Sequence, residues 1–100
     1  MAYDIKRHSG TPLATISDGS VDQSATDLTL IGRNYAGYGL FLNENFVYLL
    51  ENFANNSPPP RKITGQLWFD TVSGHIYVWL VDSWVDTSTS VQGEQGPQGE

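Results

Sequence analysis

The sequence has no cysteine, and only five basic residues against eleven acidic ones, for a net charge of −6. Each scarcity excludes something. Without thiols there are no disulfides to staple a small fold, no thiolate metal sites and no cysteine nucleophile. The bases (Lys6, Arg7, Arg33, Arg61 and Lys62) are scattered and form no stripe. Phosphate backbones are held by clustered cations, so no nucleic-acid partner is expected. No apolar run approaches the roughly twenty residues of a membrane-spanning helix, and Met1–Lys6 lacks the apolar stretch of a signal peptide. The expectation is a soluble chain made in the cytoplasm. The two histidines, His8 and His75, have no ligand-like spacing around them.

Catalytic motifs are also missing. No serine or threonine sits in a nucleophile elbow. The loop Gly32–Gly39 lacks both the Gly-Lys-Ser/Thr ending of a phosphate loop and the spacing of a dinucleotide fingerprint. Asp18-Gly19-Ser20-Val21-Asp22 falls short of a calcium-loop pattern. Asp70 and Asp82 flank strand ends, where turn capping is their expected role. No enzyme is read here, and no catalytic, cofactor-binding or metal-binding residue is assigned.

What the chain does have is an ordered series of segments. Residues 1–25 read as an extended arm. Tyr3 and Ile5 alternate with Asp4 and Lys6 in a short strand, Ser9-Gly10-Thr11-Pro12 is turn chemistry, and Leu13 to Ile16 is a second short run. Such a hairpin cannot stand alone in water. It must lie on the rest of the domain or, as preferred here, dock on a partner through Tyr3, Ile5, Leu13 and Ile16. Residues 26–57 read as a strand–loop–helix module. Thr26 to Ile31 is the strand, and Gly32 to Gly39 a glycine- and tyrosine-rich loop. Leu42, Phe46, Leu49, Leu50 and Phe53 then fall on one stripe of a helix. Asn43 is its expected N-cap, Leu42 and Val47 the hydrophobic staple around that cap, and Asn55-Asn56 its stop. The stripe residues Phe46, Leu49, Leu50 and Phe53 are expected to pack on a sheet. Residues 58–64 form a proline-rich connector with Pro58-Pro59-Pro60 in a stiff polyproline-II conformation.

Residues 65–88 read as a β-meander: Gly65–Asp70, a turn through Gly74, His75–Val81, and a return at Trp84-Val85. In its second strand Ile76, Val78 and Leu80 share one face, and Tyr77, Trp79 and Val81 the other. A sheet with one wet face alternates apolar with polar residues; here both faces are apolar and both need cover. The helix stripe can cover one, and a neighbouring subunit the other. The dense aromatics Trp68, Tyr77, Trp79 and Trp84 are read as core or interface, with stacking on sugar rings as the functional alternative.

Residues 89–100 are a linker and the start of a repeat. Gly93, Gly96 and Gly99 stand at every third position, with Pro97 between them. Three polyproline-II chains wind together only if a residue without a side chain meets the crowded axis once per turn. The tail therefore predicts a homotrimer at the front of a longer fibrous protein. Trimerisation would also support a globular part of about sixty residues, which buries only about 60% of its unfolded surface. The fold class expected is α+β: a small meander with one amphipathic helix, an extended N-terminal arm and the start of a collagen-like triple helix. The trimer contacts expected are Trp68, Tyr77, Trp79, Val81, Gly93, Gly96 and Gly99.

Two segments together carry a resemblance. One comprises Thr26-Asp27-Leu28-Thr29-Leu30-Ile31-Gly32-Arg33-Asn34-Tyr35, Gly39, Asn43-Glu44-Asn45 and Leu49–Ala54. It resembles a module of tail-fibre-like structural proteins of tailed phages that infect cyanobacteria. The other comprises Gly65-Gln66-Leu67-Trp68-Phe69-Asp70-Thr71, then Ile76-Tyr77-Val78-Trp79 and Trp84-Val85. It is similar to the G-x-L-W-x-D-T hairpin of the same proteins, which collagen-like repeats often follow. The hairpin departs from that pattern at Asp82-Ser83, where relatives often carry a longer polar insertion; the tight turn favours packing over receptor binding. Residues 1–25 match nothing.

The resemblance implies a homotrimeric virion protein, made in the host cytoplasm and incorporated into a tail, baseplate or neck appendage. It would be the particle-attachment domain of a fibre, bound to other virion proteins, with a collagen-like rod projecting and distal parts of a longer chain meeting the host surface. The alternatives are a receptor- or glycan-binding module using Tyr35, Tyr38 and the hairpin tryptophans, and a capsid decoration protein.

Overall fold

The structure, a computed structural model, describes residues 2–88. It is mixed α and β: small antiparallel sheets and one helix. Gly93, Gly96 and Gly99, and the repeat they belong to, lie outside the described residues. The chain divides into two compact units, Met1–Tyr48 and Leu49–Glu100.

In the first unit β1 (Ala2–Lys6) pairs antiparallel with β2 (Pro12–Ser17), with a register shift at Ile5/Lys6. The Ser9–Pro12 turn closes this hairpin as its composition suggests; Arg7 N–H donates to Thr11 O, and the Arg7 guanidinium to Pro12 O. Tyr3 lies opposite Ile16 and Ile5 opposite Ala14, so these residues share one face. On that face Ile16 is only 2% exposed, whereas Tyr3 is 44% exposed. The preference for an arm docked on a partner is therefore corrected at Ile16, whose side chain is spent on the unit's own core.

The next element, β3 (Val21–Asp22), pairs with β4 (Leu30–Ile31). The expected strand over Thr26–Ile31 shrinks to its last two residues, and hydrogen bonding explains why. Thr26 Oγ1 accepts from Leu28 N–H (3.0 Å), closing a tight turn. Thr29 gives its N–H to Asn45 Oδ1 (2.9 Å), and its carbonyl accepts from Asn45 Nδ2 (2.8 Å). A helix side chain thus takes both backbone groups that a neighbouring strand would have used. Asp22 shapes the loop after it: its Oδ1 accepts from Ala25 and Ser24 N–H, which holds the carboxyl below its ordinary range.

Replacing Asn45 with alanine strands the N–H and C=O of the buried Thr29. Leaving such groups unsatisfied costs about 1–3 kcal/mol each. We expect Asn45→Ala to destabilise the first unit by about 2–3 kcal/mol, read as a lower urea midpoint with an unchanged slope.

The helix, α1, runs from Tyr38 to Leu50. It begins before the expected N-cap, so Asn43 lies inside it, and Leu42 and Val47 cannot staple its start. It also ends early. Asn52 and Phe53 both adopt left-handed backbone angles (φ 54° and 55°), which swing the chain off the helix axis before Asn55. Phe53 therefore leaves the stripe. A left-handed phenylalanine is a strained residue, worth about 1–3 kcal/mol.

In the second unit β5 (Leu67–Asp70), β6 (His75–Trp79) and β7 (Trp84–Asp86) form the expected meander in the order β5-β6-β7. Asp70 caps the first turn: Oδ1 accepts from Val72 N–H and Oδ2 from the Ser73 hydroxyl. Gly74 (φ 77°) supplies the left-handed residue the turn needs. The segment after the helix runs along β5. Phe69 N–H donates to Asn52 O (2.9 Å), Asn55 N–H to Phe69 O (3.2 Å) and Thr71 N–H to Asn55 O (3.1 Å). Pro59 is buried and Pro60 begins a turn, so the proline run belongs to the packing of this unit rather than acting as a bare spacer.

Candidate interaction surface

The two faces of the meander have different fates. On one, Trp68 lies opposite Tyr77, and Trp79 opposite Trp84. Trp68 stacks on Tyr77 with ring centroids 5.1 Å apart and meets Trp84 edge-on at 5.6 Å, while Trp79 and Trp84 are 5.3 Å apart. The Trp68 indole N–H donates to Asn55 O (3.3 Å), and Lys62 Nζ lies 4.7 Å over the Trp79 ring. Trp68 is 7% exposed. Aromatic pairs of this geometry contribute about 0.5–1.5 kcal/mol beyond their buried area.

Trp68, expected at a contact with another subunit, is buried in the core of its own unit. Tyr77 and Trp79 are half-buried in the same cluster. Val81 does not continue their face, because β6 ends at Trp79, and Val81 stands exposed in the next bend. Trp84, like Trp79, is half-buried in the same cluster. The opposite face, with Leu67, Val78 and Val85 in register, is aliphatic, and its Leu67 and Val85 are exposed.

His75 Nδ1 sits 2.7 Å from Asp86 Oδ2, diagonally across β6 and β7. The Ser88 hydroxyl first, then His75 and the Ser88 amide, hold the Asp86 carboxyl down at about 2. A carboxyl lowered on folding stabilises above its unfolded pKa, and that contribution disappears as pH falls through the folded value. The melting temperature should therefore decline as pH drops from 3.8 towards about 2. Asp86→Asn should flatten that slope in pH-dependent thermal scans.

The helix carries an open apolar surface. None of its residues is buried. Phe46, Leu49 and Leu50, the residues expected to pack on a sheet, are exposed, as is Leu42. The helix side that packs carries Asn45, bonded to Thr29, and Phe41, whose ring is 6.0 Å from that of Tyr35. Covering a large apolar side chain is worth about 1.5–3 kcal/mol, so an open stripe of this kind marks a contact surface.

A second feature of the first unit is an open cleft of about 430 Å³ lined by Tyr3, Ile31, Gly32, Arg33, Asn34, Tyr35 and Tyr38. Arg33 reaches Asp18 at 3.2 Å. The tyrosine spacing in the loop was visible in the sequence, but the approach of Tyr3 comes from the hairpin register.

Among the described residues, no three His, Asp or Glu side chains converge as metal ligands. No helix there is long and apolar enough to cross a membrane. No protein-family model, curated protein or solved structure matches the chain.

Proposed function

We propose that this chain is a non-enzymatic structural virion protein. It is the particle-attachment domain of a homotrimeric phage fibre of the tail or neck, linking the particle to a projecting collagen-like rod. The carrying observation is a conjunction: small units with open apolar surfaces precede glycine at every third position from Gly93. Glycine at every third position is what three chains wound together need at their crowded axis. The phage-type segments at Thr26–Ala54 and Gly65–Val85 support the virion setting. The outer edge of β1, which pairs with β2 alone, is a strand edge on which a virion protein can add a strand.

Deleting residues 1–25 is not a clean test of docking, because it removes the buried Ile16. Immunogold labelling of particles from the encoding phage is cleaner. The expected result is label at the tail or neck. Particles free of the chain would overturn the reading, and label over the head would favour capsid decoration.

The tyrosine cleft favours glycan binding as a second reading. Aromatic rings beside Arg33 and Asn34 suit a sugar face and its hydroxyls. Saturable binding of host polysaccharide, abolished by Tyr38→Ala, is the result expected on that reading, and a flat titration removes it.

A further inference from the structure

We infer that the stripe Leu42–Phe46–Leu49 of α1, flanked by Leu50, is the seam along which three parallel copies of this chain pack. The inference rests on the trimeric reading above and adds where the contact lies.

Spacing is the first argument. Leu42, Phe46 and Leu49 follow one another at intervals of four and three residues, the alternation that keeps apolar side chains on a coiled-coil seam. They are 38%, 54% and 50% exposed. The side of the helix carrying Asn45 and Phe41 is engaged with the chain's own loop through Thr29 and Tyr35. The stripe lies off that side by helical geometry.

Charge is the second. The helix sequence YGLFLNENFVYLL holds a single ionisable acid, Glu44, and no base. Glu44 is off the stripe by helical geometry. Identical helices can therefore approach along the stripe without setting like charges against one another.

Direction is the third. Collagen-type triplets wind three chains in the same sense, so the copies preceding them run parallel, as a parallel seam requires. The occupant is therefore a second and third copy of this chain. Asn45 also fixes the helix before assembly, which lowers the ordering that association demands.

The absence of cysteine makes the test clean. Single-cysteine variants of the full chain, Phe46→Cys on the seam and Leu40→Cys on the opposite side of the helix, are oxidised and run on a non-reducing gel. A disulfide-linked pair is expected from Phe46→Cys, and none from Leu40→Cys. Sedimentation of the unmodified chain should give three times the 11.0 kDa chain mass, and Phe46→Glu should fall to 11.0 kDa with unchanged circular dichroism. If Phe46→Glu loses its circular dichroism, the cross-linking pair decides alone.

A wild-type mass of one or two chains overturns both the trimeric reading and the seam. A trimer that persists in Phe46→Glu, with Phe46→Cys unlinked, overturns the seam and leaves the trimer standing.

Discussion

Gly32→Ala is expected to disrupt the first unit, although it adds a single methyl group. A Cβ at Gly32 would lie 2.3 Å from Ser17 O, 2.8 Å from Ser20 O and 3.0 Å from Ile16 Cγ2. Two of these neighbours are backbone oxygens, which cannot rotate away as a side chain would. They also belong to the bonds that hold the loop: Ser20 O accepts from Gly32 N–H (2.8 Å), and Ser17 O accepts from the Ser20 N–H (3.3 Å) and hydroxyl (2.8 Å). The third neighbour is the most buried side chain of the unit. Overpacking costs about 1–3 kcal/mol when the surroundings can shift, and here the backbone must move, so about 3 kcal/mol is expected. The readout is loss of amide-exchange protection over residues 12–33. Gly39→Ala is the control. Nothing lies within 4 Å of a Cβ there, and alanine in a helix is favoured over glycine by about 1 kcal/mol. The same substitution should therefore destabilise at one glycine and stabilise at the other. Equal melting temperatures for the two variants would contradict the close approach at Gly32.

Trp68→Ala is the second large effect. It removes the ring at the centre of the cluster, leaving Tyr77 and Trp84 facing a void and Asn55 O without its indole donor. Truncating a buried aromatic costs about 3–5 kcal/mol. Whole domains are stable by about 0.05–0.15 kcal/mol per residue, so a unit this small should unfold. Near-UV circular dichroism of the remaining tryptophans is expected to vanish. Trp68→Phe keeps the stacking and loses the hydrogen bond, so it should retain the signal with a lower melting temperature. A folded Trp68→Ala would show that the cluster is not the core.

The meander was legible from the chain alone because its turns have local causes. Asp70 and Gly74 act within a few residues of themselves, and the aromatic strands between them have few other ways to bury their rings. The hairpin at Ser9–Pro12 was legible for the same reason. The strand over Thr26–Ile31 was misread because alternation cannot reveal that a side chain sixteen residues away, Asn45, takes the backbone groups of Thr29. The helix start was misread because a good capping residue at Asn43 outweighed the apolar residues before it. Its end was misread because Phe53 adopts an angle that its side chain disfavours.

The candidate surface divides in the same way. The apolar stripe of the helix follows from residue spacing, and so does the aromatic face of the meander. Which of them remains open does not. Stacking between Trp68, Tyr77 and Trp84 buries Trp68 within its own unit, while the Asn45–Thr29 bonds turn one side of the helix inward and leave Leu42, Phe46 and Leu49 exposed.

By itself the order of residues determined the elements whose causes are local: the turns, the meander and the helical stripe. Tertiary structure alone decided which apolar surfaces are spent within the chain and which are left over. That outcome depends on contacts between residues distant in sequence, and no local period encodes them.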